Sequence, residues 1–465
     1  MAKIDITSLI DKRPMGRFQL SIVGLCIGVA FIDGYDLVAI SYAAPALRSE
    51  LQLEPTVLGQ IFSAALFGAM LGNMICGPLG DVIGRRRVIL TNTFLFAAFT
   101  LLTAFATEFW SLVVVRFICG FGLGVANVSA YALCAEYSPR RKGATSVMAV
   151  TAGYSLGAAL GGVIAAYIVP HWGWREVFYL GGGAGLVYAI VLVFSLPESI
   201  RFLALRPKQQ ARLARIVTKI APEIPGDANV SFVIGEEDER GFKLLQLFTS
   251  GRAVMTILFW VMCLMNIMEL FFVQQWLPTL IRSYGHDVSS AVSSGAVLQV
   301  GALCGALIYS WLLERAENPF WLLALGFASG GATFLLLGQT TTSVALMMLV
   351  IFAIGLLVPG IQIALNGIIS MRYPTSIRST GTSWAIGVGR LGSVIGPLIA
   401  GVLLSWHFSV SAVLASAAIP ASFSTASALL MLWLSTNRRE TARVLVQADS
   451  GSQSGTDQPA LKDAS

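Results

Sequence analysis

Charge is scarce in this chain. Only 12% of its 465 residues are Asp, Glu, Lys or Arg, against about 25% in a soluble globular domain. Histidine is scarcer still: His171, His286 and His407 are all there is, and each falls in a loop or at the end of an apolar block. Six cysteines, at 26, 76, 119, 134, 263 and 304, lack metal-ligand spacing and suggest no disulfide framework. No nucleophile–base constellation, phosphate loop or cofactor pattern is present, so nothing points to an enzyme or to a bound cofactor. No soluble block is long enough to relay a signal, which argues against a sensor. The amino terminus lacks a short apolar core followed by a small-residue cleavage site, so its first apolar block is expected to be retained.

What the chain has is apolar length. Hydrophobic residues make up 55% of it, with 46 glycines, and they come in blocks long enough to cross a bilayer as helices. Twelve spans are expected, near 19–42, 57–78, 88–106, 110–134, 144–169, 176–196, 253–277, 290–313, 320–337, 342–368, 381–404 and 409–434. The fold class is therefore an all-α integral membrane protein of twelve transmembrane helices in two six-helix halves, residues 1–196 and 253–436. A polar cytoplasmic linker, 197–252, joins them, and a Ser/Gly/Asp-rich tail, 437–465, reads as disordered. Placing both termini in the cytoplasm leaves only Arg48, Arg175 and Arg282 in the opposite loops, as the positive-inside rule requires. The net charge of +6 is this bias, and it gives no reason to invoke nucleic acid. A small-residue pattern in the fifth span, Gly153, Gly157, Ala158, Gly161 and Gly162, recurs in the eleventh as Gly392, Gly396, Pro397, Ala400 and Gly401. Matching spans in the two halves suggest a transporter built from parallel repeats.

Within this apolar background a few charges stand out. Asp33 and Asp36 lie inside the first span, where a carboxylate costs roughly 2.5–3.5 kcal/mol to insert. Their i, i+3 spacing puts both on one helical face. Asp33 lies roughly 21 Å along its helix and Arg116 some 9 Å below the outer end of the fourth, at about 1.5 Å per residue. The depths overlap, so an Arg116–Asp33 pair is feasible, with a second acid as alternate partner. With no histidine near the midplane, proton carriage falls to carboxylates. Arg390, about ten residues into the eleventh span, suits a substrate carboxylate through its bidentate fork; the competing reading is an ion pair with Glu269 of the seventh.

Between spans two and three stands Gly77-Pro-Leu79-Gly-Asp81-Val-Ile-Gly84-Arg85-Arg86-Arg87. It resembles the G-x-L-x-D-x-x-G-R-R signature of the major facilitator superfamily, and a degenerate counterpart ending in Glu314 and Arg315 occupies the equivalent loop of the second half. Arg116-x3-Gly120-x-Gly122, Glu136-Tyr-Ser-Pro139 and Pro197-Glu-Ser199 are further family marks. Asp33-Gly34-Tyr35-Asp36 resembles the D-G-x-D of the aromatic acid:proton symporters, carriers of benzoate, 4-hydroxybenzoate and protocatechuate. The resemblance runs from about residue 5 to 435. It implies a proton-coupled importer of an aromatic carboxylate in a bacterial inner membrane, working as a monomer in the lipid bilayer. Asp33, Asp36, Arg116 and Glu136 would serve proton coupling. Arg390, Glu269 and the aromatic Tyr35 and Trp384 would serve the substrate. Gly77, Asp81, Gly84, Arg85, Arg86, Glu314 and Arg315 would serve gating, with Asp81 latching the cytoplasmic side against the eleventh helix in the outward-open state. Carriers of other organic anions or sugars are rival readings, as is a proton-antiporting exporter, although Ala158 stands where exporters typically carry proline.

Overall fold

In the computed structural model the described residues are 2–76, 79–222, 230–233, 244–249, 251–316, 318–340, 343–374 and 377–453. The first half holds α1 (Arg17–Leu51), α2 (Pro55–Cys76), α3 (Arg85–Thr103), α4 (Phe109–Tyr137), α5 (Arg140–Trp172) and α6 (Arg175–Ser195). The second holds α7 (Ala253–Ser283), α8 (Val288–Arg315), α9 (Pro319–Leu337), α10 (Val344–Arg372), α11 (Arg378–Ser405) and α12 (Val410–Ser416, continued by Ala418–Gln453). Eleven of these are long and apolar enough to cross a membrane. The exception is α3, in which any 18-residue window includes Arg86 and Arg87; it is the twelfth span expected near 88–106, begun by the arginines of the loop signature.

The two halves repeat one packing scheme. In the first, α1 packs on α5, α2 on α4 and α3 on α6; in the second, α7 packs on α11, α8 on α10 and α9 on α12. The recurring glycines explain one close pair in each. A Cβ on Gly157 would lie 1.9 Å from the Phe31 carbonyl of α1, and one on Gly396 would lie 2.4 Å from the Met268 carbonyl of α7. Only a residue without a side chain permits backbones so near. The halves meet through α5 on α8 and α2 on α11, with α1 also touching α7.

One buried apolar cluster draws on both halves, through Tyr42, Phe62, Trp276 and Ala291, on the side away from the termini. Toward the termini side the apolar core is divided: one cluster belongs to the first half and the linker apart from Ile267 and Phe271, another to the second half with Leu247 of the linker. Two features depart from expectation. A short parallel ladder pairs β1 (Ala2–Asp5) with β2 (Val230–Val233), a strand element in a chain read as all-α. In addition, α12 runs on to Gln453, whereas residues from 437 were expected to be disordered; the stretch Arg438–Gln447 is rich in Arg, Glu, Ala, Leu and Gln, all good helix formers. Residues 454–465 of that tail lie outside the described residues.

Candidate functional site between the two halves

The face of α11 that carries Gly401, Pro397 and Val394 closes on α2. A Cβ on Gly401 would lie 2.8 Å from the Pro55 carbonyl, one on Gly59 would lie 2.8 Å from the Pro397 carbonyl, and Ser63 Oγ donates to the Val394 carbonyl at 2.8 Å. Neighbouring bonds complete the far-side seal: Ser41 Oγ donates to the Gln274 and Gln275 carbonyls at 2.9 Å, and Phe62 meets Trp276 edge-on at 5.4 Å. One turn nearer the termini, the same face of α11 presents Arg390. A turn further, Gly387 has nothing within 4 Å of where a Cβ would stand. The halves therefore part at the depth of Arg390.

Across that gap lies Asp33, two turns inward of Ser41 on α1. Asn127 of α4 donates through Nδ2 to its Oδ2. The charge of Arg390 acts on Asp33, on Tyr131 of α4 and on Tyr154 of α5. Arg390 is half-buried, and no hydrogen bond or ion pair of its guanidinium occurs among the described residues. Tyr154 OH accepts from Gln274 Nε2 of α7 at 3.2 Å, which brings a fifth helix to the site. Gly34 makes room for this: a Cβ there would lie 2.0 Å from the Tyr154 carbonyl. Asn127, Tyr131, Tyr154 and Gln274 went unread in the sequence. Their signal was a polar or amphipathic side chain inside an apolar span, as for the aspartates, but without a charge to make it costly.

Arg116 pairs with Asp36, and the expected Arg116–Asp33 pair is not formed. Arg116 Nη1 lies 3.3 Å from Asp36 Oδ2, with the two side chains 0% and 1% exposed. Thr100 Oγ1 donates to Asp36 Oδ1 at 2.6 Å, Cys119 Sγ donates to Oδ2 at 3.1 Å, and Arg116 Nη2 reaches the Asp36 carbonyl at 3.2 Å. Three residues along α1 are about 4.5 Å of depth, and that offset decides which aspartate meets Arg116. The carboxylate is thus fully engaged inside the first half.

The other residues expected at the substrate lie elsewhere. Tyr35 is buried between α5 and α6, against Gly161 and Gly181, and donates to the Val177 carbonyl at 2.8 Å. Trp384 stacks on Trp260 at 6.0 Å; six residues from Arg390, it points about 120° away from it. Glu269 is buried in α7 and makes no ion pair with Arg390.

On the termini side, Arg85 joins Asp81 (3.1 Å) to Glu136 (2.8 Å), and Ser199 Oγ donates to Glu136 at 2.5 Å. Glu136 therefore belongs to this end of the bundle and not with Asp33; it occupies the last turn of α4, well below the midplane. Asp81 is 68% exposed and, among the described residues, makes no ion pair with α11. Gly84 has φ +101°, and the Glu198 carboxylate accepts from Arg86 N at 3.0 Å to cap α3. Arg86 in return caps α6 by donating to the Val193 and Leu196 carbonyls. Gly77 lies outside the described residues. Glu314 and Arg315 are exposed, and Arg315 lies over the Trp311 ring at 4.0 Å.

The Major Facilitator Superfamily profile matches residues 26–397. The 4-hydroxybenzoate transporter PcaK of Acinetobacter baylyi is 34% identical over 423 residues, 90% of this chain and 92% of that one. The gallate transporter of Pseudomonas putida is 32% identical over 430 residues, 92% of this chain and 95% of that one. Among solved structures, the partially occluded inward-open xylose transporter XylE from E. coli superposes with a TM-score of 0.67 at 17% identity, covering 90% of this chain and 98% of that one. At that identity it speaks for the fold alone.

Proposed function

The chain belongs to the Major Facilitator Superfamily, and we propose that it imports an aromatic carboxylate of the benzoate or hydroxybenzoate kind together with protons, by alternating access. The relatives named for 4-hydroxybenzoate and gallate support the substrate class. The positive-inside rule supports both termini in the cytoplasm, in a bacterial inner membrane. The open side is then the cytoplasmic one, and this conformation is inward-facing. Working as a monomer is part of this reading.

The observation that carries the reading is Arg390: a guanidinium without a bonded partner among the described residues, where the halves separate, within reach of the charge of a buried aspartate. The fork matches a carboxylate bidentately. Asp33, when protonated, leaves Arg390 to the substrate. When its proton leaves for the cytoplasm, the Asp33 carboxylate becomes a resident counter-ion and weakens the hold on substrate, since charges in such a site interact far more strongly than in water. Coupling and release are then one event.

Uptake of labelled benzoates into energised vesicles, with and without a protonophore, tests this. Accumulation of 4-hydroxybenzoate that the protonophore collapses is expected, with the carboxamide analogue binding poorly. Arg390→Lys keeps the charge and loses the fork, so transport is expected to fall steeply. Equal binding of carboxamide and carboxylate would remove Arg390 as anchor.

A further inference from the structure

Glu269 stands apart from the site just described. It lies near the middle of α7, is 2% exposed, and its Oε1 has no hydrogen-bond partner among the described residues. The helices packed on α7 are α1, α8, α10, α11 and α12, and among the described residues no charged group on any of them acts on Glu269. Arg390, on the neighbouring α11, acts on Asp33, Tyr131 and Tyr154 instead. An unpaired carboxylate in such a place is strongly disfavoured.

Asn266 sits one turn nearer the termini on the same face of α7. It is fully buried, and its Oδ1 is also without a partner. Its Nδ2 donates to the Val358 carbonyl at 3.3 Å and to Gln362 Oε1 at 2.8 Å, which sets the orientation of the amide. Two acceptors one helical turn apart, both lacking a donor, are short of a single proton. The hydrogen bonds continue from there: Gln362 Nε2 donates to Asn366 Oδ1 at 2.9 Å, one turn further toward the termini side of α10. Gln362 and Asn366 are half-buried, so the polar track runs from a sealed carboxyl toward the termini side.

We propose that Glu269 is a second proton-carrying site, protonated on arrival in this inward-facing state and emptied to the cytoplasm along Asn266, Gln362 and Asn366. The inference rests on reading the protein as a proton-coupled importer. In the step, the O–H bond of the Glu269 carboxyl breaks, its electron pair stays on the carboxylate, and a water held by the amides of the track takes the proton. A half-turn of the Asn266 amide then offers its NH2 to the new charge. Two protons with one monoanion carry one net positive charge inward, so the membrane potential drives uptake.

Two measurements test this, one of them independent of substrate. Infrared difference spectra of purified protein between acidic and alkaline buffer are expected to show loss of a protonated-carboxyl band. That band should be absent from Glu269→Gln and retained in Glu269→Asp, shifted, and in Asp33→Asn. A wild-type carboxyl spectrum in Glu269→Gln overturns the proposal. In vesicles at equal pH on both sides, an inside-negative potassium potential of about 100 mV is expected to raise wild-type accumulation by up to roughly forty-fold. Glu269→Gln should lose this response while keeping uptake driven by a pH gradient. An unchanged response to potential in that variant also overturns the proposal. If the band vanishes in Glu269→Gln yet wild-type vesicles take up none of the acids, the substrate reading fails and the proton site stands.

Discussion

Of the two aspartates in α1, one is engaged and one is poised. Asp36 accepts from Thr100, Cys119 and Arg116, while the side-chain donor to Asp33 is Asn127, with Arg390 across the gap. Their substitutions should therefore part company. Asp33→Asn is expected to fold normally and to keep substrate counterflow, while accumulation against a gradient is lost; full concentrative uptake by that variant would return the coupling role to another group. Asp36→Asn leaves Arg116 buried without a counter-charge, which costs about 3–5 kcal/mol, so its melting temperature in detergent should fall sharply. A melt as high as the wild type's would mean that the pair contributes little. That both acids and both arginines lie within the spans was legible in the sequence, and the cost of intramembrane charge singled them out. Which acid meets Arg116 was not, because one helical turn of offset between α1 and α4 decides it. Tyr35 misled for a related reason: its place in the D-G-x-D pattern says nothing of its azimuth, which aims it at α6.

At the scale of elements, helix approach is set by residues that lack side chains. Gly34 is one, lying between the two aspartates with the Tyr154 main chain where a Cβ would go. Gly34→Ala is expected to push α5 from α1 and cost about 1–3 kcal/mol or more, and to disturb Asp33 by moving Tyr154. Gly24→Ala, in the same helix with nothing within 4 Å, is the control and should be near neutral or slightly stabilising. Equal melting temperatures for the two variants would contradict the close approach. The spans themselves were legible to within a few residues, because apolar blocks of this length have one use. Their ends were less so: α1 continues through Arg48, Ser49 and Glu50, polar residues that are still helical, to a left-handed Gln52 at φ +51°. The helical stretch of α12 past residue 436 was hidden by composition, since polarity reports solvation better than it reports backbone.

For the whole molecule, the division of contacts into a shared far-side core and separate termini-side cores defines one conformation of a two-state carrier. A cysteine at Gly387, where space is open, should react with a membrane-impermeant maleimide supplied from the termini side, and a bound aromatic acid should slow the reaction. A cysteine at Ser63, buried against Val394, should stay unlabelled from the far side until transport begins. Labelling of the second before the first would mean that the resting carrier faces the other way. Asp81→Asn is expected to lower the maximal rate with little change in equilibrium binding, because Asp81 sits on the exposed rim and away from Arg390.

The far-side seal between the halves and the termini-side end of the first half are held by different kinds of bond. The far-side seal consists of hydroxyls donating to main-chain carbonyls and of ring edges, all without net charge. The termini-side end of the first half relies on Asp81, Arg85 and Glu136, partly open to solvent. Dissolved ions screen such charges over about 8 Å at physiological ionic strength, whereas they have little purchase on neutral contacts. An impermeant salt should accordingly alter the turnover of this carrier when added on the termini side; added on the other, it meets the exposed Glu50–Arg175 pair within the first half but leaves the seal between the halves untouched, giving that seal a one-sided indifference to ionic strength.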